Sequence, residues 1–449
     1  MSKRQLPKGG DGASVMDQPE ALDLLAQTRL EAADVRSCRG DLRAFLQRYL
    51  PLFERREQRG HATTVLGGLL SSLTRKTVEP IAHAAGQKRK NLQWFVGSGV
   101  WKDRALRDQL RAHVAQAAGD PAGVLILDPT SFPKKGTASV GVQRQWCGRL
   151  GKLENCQLGV FLGYSSPQGR ALVDCRLFLP PAWAADKKRR KACHVPGQVR
   201  YKETWRLAYQ MVCAHAKALP HAWVLGDEEF GRVSALRHQL TRDKERYLLR
   251  IPSNIKMRPV GDPDFAPPPD RRALPLERAD ALAARLKPGR WTKLSGLQSQ
   301  QMRALEAATI RVQGRDSNKR LGPLERLLVV RTCGSEPEYH YALTNAPSTV
   351  GIEELVSADA SRHAVEELFQ TAKGSAGLDH YEVRSWRGWH HHMTLALLAS
   401  WFLESQKVRM RKKKSPGGDY RAGGAKPSGL APRRVLETCG RRPHRPGGA

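Results

Sequence analysis

The sequence predicts an α/β protein: a mixed sheet flanked by helices, preceded by an all-α region and interrupted by a β-rich insertion. Three observations carry that expectation. Short apolar runs at Gly123–Leu127, Ala222–Asp227 and Tyr247–Ile251 read as buried strands separated by helical patterns. Upstream, from Ala21 to about Ala118, apolar residues recur at helical spacing. From about 253 to 347 a Pro-rich loop (Pro263–Pro275) gives way to strand-like segments, AATIRVQG, RLLVVRTC and YHYALTN, read as an insertion separate from the first sheet.

Taken in order, residues 1–20 carry Gly, Pro and charge without periodicity and are expected to be disordered. In the region 21–118, Leu42, Phe45, Leu46 and Leu50 form one helical stripe, and Leu66, Leu69, Leu70 and Leu73 another. Ile81–Trp101 reads as two short helices around Gly86-Gln87, the second opening on Lys88, Arg89 and Lys90. That arrangement resembles a helix-turn-helix, whose second helix offers its first residues to the major groove; a plain helical hairpin fits equally well. The first strand ends on Asp128. Asn155–Pro180 then reads as a hairpin turning at Ser165–Gly169, followed by a helix over Trp205–Leu219, a strand ending on Asp227, a helix over Gly231–Asp243 and the strand Tyr247–Ile251. The core is thus expected over 119–252 and again over 348–405, and a basic tail, expected to be disordered, over 406–449.

Composition narrows the function. Among 449 residues, 75 Lys and Arg face 43 Asp and Glu, a formal net charge of +32. Such a charge argues for a polyanionic partner, nucleic acid before all others. No apolar leader opens the chain and no apolar run is long enough to span a bilayer, so a cytoplasmic, nucleoid-associated protein without membrane contact is expected. The eight cysteines form no C-x-x-C pair, which fits reduced thiols better than a disulfide framework or a zinc site.

Three acids stand out. Asp128 and Asp227 each end an apolar strand, where a carboxylate is costly unless something uses or neutralises it, and where α/β sheets bind ligands. Lys134 and Lys135 follow on the same loop as Asp128. In the helix or helical pair Thr349–Lys373, Val365, Leu368, Phe369 and Ala372 form the apolar stripe, and Arg362, Glu366 and Lys373 fall along its edge. Singly, each acid has a bland reading: a helix cap for the aspartates, a surface ion pair with Arg362 for Glu366. Together they can hold two Mg²⁺ ions, with Mn²⁺ able to substitute, ~3.5–4 Å apart for in-line phosphoryl transfer. Hard carboxylate oxygens suit Mg²⁺, and neighbouring cations suit a phosphodiester. Arg384, Trp386 and Arg387, beside Trp389, mix aromatics with charge as DNA contacts do, although tryptophans capping a core explain the pattern at least as well.

These segments resemble the DDE transposases of bacterial insertion sequences, closest to the IS-four/IS-seven-oh-one group. Arg362, Glu366 and Lys373 match the last three places of that group's Y-x2-R-x3-E-x6-K helix pattern, with Asp359 in the tyrosine's place. LDPTSFPKKGTASVGVQRQWCGRLGKLENCQLGVFLGY, WVLGDEEFGR and EELFQTAKGSAGLDHYEVRSWRGWHHHMTLALLA resemble its three blocks, in order. The resemblance implies an RNase H-like catalytic core, Asp128, Asp227 and Glu366 as the metal-binding catalytic triad, and a β-rich insertion domain at 253–347. It further implies double-stranded DNA as partner (transposon ends and target) and a homodimer on DNA. Two other readings remain at this stage: a catalytically inactive, transposase-derived DNA-binding protein, and a hydrolysis-only nuclease of the same fold.

Overall fold

The structure, a computed structural model, describes residues 32–265, 275–294, 304–316 and 320–414. The expected disorder of residues 1–20 lies outside the described residues, as do most of the Pro-rich loop and of the basic tail.

Among the described residues, five α-helices come first: α1 (Ala32–Gln47), α2 (Arg56–Leu69), α3 (Val78–Ala84), α4 (Arg89–Gly97) and α5 (Asp103–Ala118). Their apolar stripes are buried, including Phe45, Leu46, Leu66, Leu69, Leu92, Phe95 and Leu110. Gly86 turns the chain between α3 and α4 with φ +62°, a conformation that favours glycine.

The sheet begins with β1 (Val124–Pro133), β2 (Gln143–Cys147), β3 (Lys152–Ser166) and β4 (Gly169–Leu177). Two short helices follow, α6 (Pro181–Ala185) and α7 (Lys187–Ala192), then α8 (Thr204–His215), β5 (Trp223–Gly226), α9 (Glu228–Gly231), α10 (Ser234–Arg242) and β6 (Tyr247–Ile251). The hairpin β3–β4 turns where its sequence places the turn. The first strand, however, does not stop at Asp128. β5 pairs with β1 in parallel only as far as Leu127↔Gly226, while β3 pairs with it through Pro133. Beyond Leu127 the β5 side of β1 is an edge, where a proline's missing N–H is tolerated. The β3 ladder therefore carries Asp128-Pro129-Thr130 on as strand.

The segment after β6 contains β7 (Lys256–Pro259), β8 (Glu277–Arg278), α11 (Ala279–Ala284), β9 (Thr292–Leu294), β10 (Leu305–Arg315), β11 (Leu321–Thr332) and β12 (Tyr339–Thr344). It is rich in β structure, but its separation from the first sheet is overturned. β12 pairs antiparallel with β6, so the order β2-β3-β1-β5-β6-β12-β11-β10-β7-β8 runs through one sheet of 12 strands, with β4 on β3 and β9 on β10. Apolar β12 extends the ladder because β6 otherwise ends the sheet as a hydrophobic edge, which invites pairing. The segment still builds a small core of its own, in which Met257, Phe265, Leu282, Ile310 and Val329 are buried.

The remainder is helical: α12 (Ile352–Ser361), α13 (His363–Gly374) and α14 (Trp386–Lys414). Met393 and Leu395–Ala399 of α14 are fully buried, in one apolar cluster with α1–α5 and the sheet. The helix also carries order past residue 406, where a disordered tail was expected to begin. Residues 409–449 separate from the rest as a second unit, of which only the end of α14 is described.

Candidate active site

The parallel pair β1–β5 fixes two of the three acids. Asp128 is the first β1 residue past the end of that pairing, opposite Phe161 of β3. Asp227 follows the last residue of β5 and caps α9, accepting a hydrogen bond from the Glu229 N–H at 3.1 Å. The one-turn helix α9 lies hard against β6: a Cβ on Gly231 would stand 1.8 Å from the Arg250 carbonyl oxygen. A bulkier residue there would push α9, and Asp227 with it, away from the sheet.

Glu366 comes from α13, whose Val365, Leu368, Phe369 and Ala372 are buried as the periodicity predicts. Its own side chain is exposed and meets Arg362 at 3.0 Å and His363 at 3.3 Å. The helical region breaks into α12 and α13 at Arg362. At the far end of α13, Lys373 Nζ donates to Thr130 Oγ1 at 2.7 Å, two residues beyond Asp128 on β1. Helix and strand are thereby tied together at the site.

Electrostatics mark Asp128 as the centre. No described residue donates a hydrogen bond to its half-buried carboxylate. Burial and the neighbouring Asp227 push its carboxyl well above the ordinary carboxylate range; Glu366 adds to the rise, and Arg362 and Lys373 oppose it. Burial also raises Asp227, against the Phe230 and Glu229 N–H groups and Arg362. Burial lowers Lys373, whose ammonium Asp379 and Asp128 help to retain. At Asp128 the neighbouring acids and burial outweigh the two cations. Among the described residues, no three His, Cys, Asp or Glu side chains close into a metal-ligand cluster, and Glu366 is turned onto Arg362.

Other residues singled out by sequence fall at different distances from this centre. Lys134 is half-buried, its Nζ 3.5 Å above the Tyr381 ring, and burial lowers it to about 8. Lys135 is exposed. Lys88 and Lys90 are exposed at the start of α4, while Arg89 pairs with Glu79 of α3 at 2.8 Å. Arg384 and Arg387 are exposed; Trp386 is half-buried against His390, and Trp389 is fully buried, a core residue. His390, His391 and His392 are buried, each bonded to main-chain carbonyls, and burial lowers each to about 4.

Sequence reading missed two features. Glu229 is half-buried beside Asp227, and burial together with Asp227 raises its carboxyl. Its adjacency in the run GDEEFGR was the available signal. Asp359, standing in the tyrosine's place of the helix pattern, grips Arg250 of β6 through two hydrogen bonds of 2.9 and 2.7 Å. Nothing in the local sequence points to that partner, 109 residues away.

A family model described as "DDE superfamily endonuclease" matches residues 48–317, more than half of the chain. The chain belongs to that family. The matched span includes Asp128 and Asp227 and ends before Glu366. A protein of Microchaete diplosiphon named "Probable transposase for insertion sequence element IS701" is 33% identical over 106 residues, 22% of this chain and 28% of that protein. The mixed sheet flanked by helices fits an RNase H-like core. Among the described residues no helix is long and apolar enough to cross a membrane.

Proposed function

We propose that this protein is an insertion-sequence DNA transposase, which cuts element ends and joins them to target DNA by metal-dependent phosphoryl transfer. The observation that carries the reading is the carboxylate of Asp128: half-buried, without a hydrogen-bond donor, and raised by burial and by Asp227. A structural acid in such a place would be paired. The family membership and the likeness to the IS701 protein support the same chemistry.

The residues fit divalent cations, since Asp128, Asp227 and Glu366 offer hard carboxylate oxygens of the kind Mg²⁺ and Mn²⁺ favour. Two such ions, when bound, would stabilise the charge on the attacking and leaving oxygens of the phosphodiester. Asp128 and Asp227 are already set by the sheet. Glu366 reaches them only by leaving Arg362, whose guanidinium is then released toward a phosphate; its Nε is buried without a partner among the described residues. Lys373 holds α13 against β1 and offers a second cation. Lys88, Arg89, Lys90, Lys134, Lys135, Arg384, Trp386 and Arg387 supply contacts for duplex DNA at the ends and target, the charged ones through phosphates. A homodimer on paired ends completes the reading, as does a place at the nucleoid.

The test is cleavage of a labelled duplex carrying the element's own terminal sequence, in Mg²⁺ or EDTA, by the wild type and by Asp128→Ala and Glu366→Gln. Metal-dependent nicking at the element boundary, lost in both variants while end binding persists, is the expected result. Cleavage retained by Glu366→Gln refutes the role of Glu366. Strand-transfer products on a supercoiled target separate a transposase from a nuclease that only hydrolyses.

A further inference from the structure

The hairpin β2–β3 carries an apolar patch that the fold does not use. Trp146 and Leu153 are cross-strand partners, and both side chains are exposed, Trp146 at 62% and Leu153 at 57%. Leu150, in the turn between them, is 45% exposed. Directly opposed residues of an antiparallel pair share a face, as do residues two apart on one strand. Arg144 therefore stands beside Trp146 on this face, exposed, with Asn155 opposite it. The Asn155 amide donates to the Lys134 and Gly136 carbonyls at 2.6 and 3.0 Å, so the exposed Lys135 is held alongside. An indole flanked by aliphatic side chains and cations is the chemistry of a stacking platform for nucleic-acid bases.

The patch is also tied to the candidate active site. Arg149, in the hairpin turn, pairs with Asp379 at 2.5 Å, on the loop that follows the helix of Glu366 and Lys373. The strand β3 that carries Leu153 pairs with β1 through the residues on either side of Asp128. A strand leaving the scissile position along the β1–β3 ladder would meet this face.

We propose that the outer face of the β2–β3 hairpin, centred on Trp146 and Leu153, binds unpaired nucleotides of the DNA strand that leaves the site. The inference rests on the DNA-cutting function proposed above. Duplex bases are already stacked and offer Trp146 no face, whereas a single strand does, with Arg144 and Lys135 meeting its phosphates.

The experiment compares binding of a mixed-sequence blunt duplex with the same duplex bearing a single-stranded tail of about eight nucleotides, on the 3′ or the 5′ strand. Fluorescence anisotropy at fixed salt reads both, for the full chain and for Trp146→Ala, Trp146→Phe and Leu153→Ala. The wild type is expected to prefer one tailed duplex by about tenfold. Trp146→Ala brings that ratio near one, Leu153→Ala reduces it, and Trp146→Phe keeps most of it. An unchanged ratio in Trp146→Ala overturns the proposal. So does a change of oligomeric mass in Trp146→Ala at an unchanged ratio, which makes the patch a contact between copies of this chain. A wild type that cuts labelled ends yet binds tailed and blunt duplexes equally overturns this inference alone; one that binds neither DNA overturns it together with the function on which it rests.

Discussion

Two aspartates on the same sheet are placed in opposite electrostatic company. Asp174 of β4 is held by two arginines, Arg107 at 3.0 Å and Arg176 at 2.6 Å, and by the His215 ring at 2.8 Å. Arg107 in turn holds Asp103 at 2.7 Å and Thr394 at 2.7 Å, so α5, β4, α8 and α14 meet at one carboxylate. Although burial opposes ionisation, these partners hold Asp174 below the ordinary carboxylate range. Asp128 has no hydrogen-bond donor, and its nearest like charges push it the other way. A carboxylate that the fold needs arrives with its cations built in. One that accepts no hydrogen bond and stands beside other acids is waiting for something the chain does not supply, and here the fitting supply is a divalent cation.

The largest effect that would sharpen this contrast is on folding. Asp174→Ala takes from buried Arg107 one of its two carboxylates and from half-buried Arg176 its partner, and should cost about 3 kcal/mol in chemical denaturation. A loss below about 1 kcal/mol would mean that solvent already compensates the cluster. Next comes acid sensitivity. His390, His391 and His392 have folded values of about 4 against an ordinary 6.5. The unfolded chain therefore binds more protons between those limits, and stability should be lost as pH falls from about 6.5 toward 4. A flat melting profile across that window would show that these rings take up protons without cost.

For Asp128 the sign reverses. Its folded value is raised, so the folded state holds the proton longer, and its contribution falls as pH rises from the ordinary carboxylate range through the raised one. Asp128→Asn in chelator should therefore melt a few degrees above the wild type at neutral pH. The gain should vanish at acid pH, where both side chains are neutral. A variant that melts lower at neutral pH would mean that the carboxylate is structural. The smallest effect belongs to Glu366→Gln. Its exposed pair with Arg362 is worth a few tenths of a kcal/mol, so the substitution should leave the melting temperature almost unchanged while abolishing cleavage.

Much of this was legible because it is local. The apolar runs leading to Asp128 and Asp227, the turn at Ser165–Gly169 and the stripe Val365–Leu368–Phe369–Ala372 are patterns of nearest neighbours, and the structure reproduces them, except that β1 runs on past Asp128 to Pro133. What the sequence hides are partners far away along the chain. The pairing of β6 with β12 joins residues such as Ile251 and Tyr341, and no local periodicity announces it. Arg107 reaches Asp174, and Arg250 reaches Asp359, across similar gaps. The strand β2 was missed because Gln143-Arg144-Gln145-Trp146-Cys147 buries only its last residue, so it lacks an apolar strand signature. That same polarity leaves Trp146 exposed. At the site, the residue types and the Arg362–Glu366 pair were readable, whereas the tie of Lys373 to Thr130 needed the fold.

The most direct test of the central claim is binding of Mn²⁺, followed by electron paramagnetic resonance, to the wild type and to Asp128→Asn across neutral pH. Affinity in the wild type should strengthen as pH rises, because the raised Asp128 carboxyl must lose its proton before it can serve as a ligand, and the variant should lose most of that affinity. Equal, pH-independent binding by both proteins would contradict the assignment of Asp128 as the centre of a metal-dependent active site.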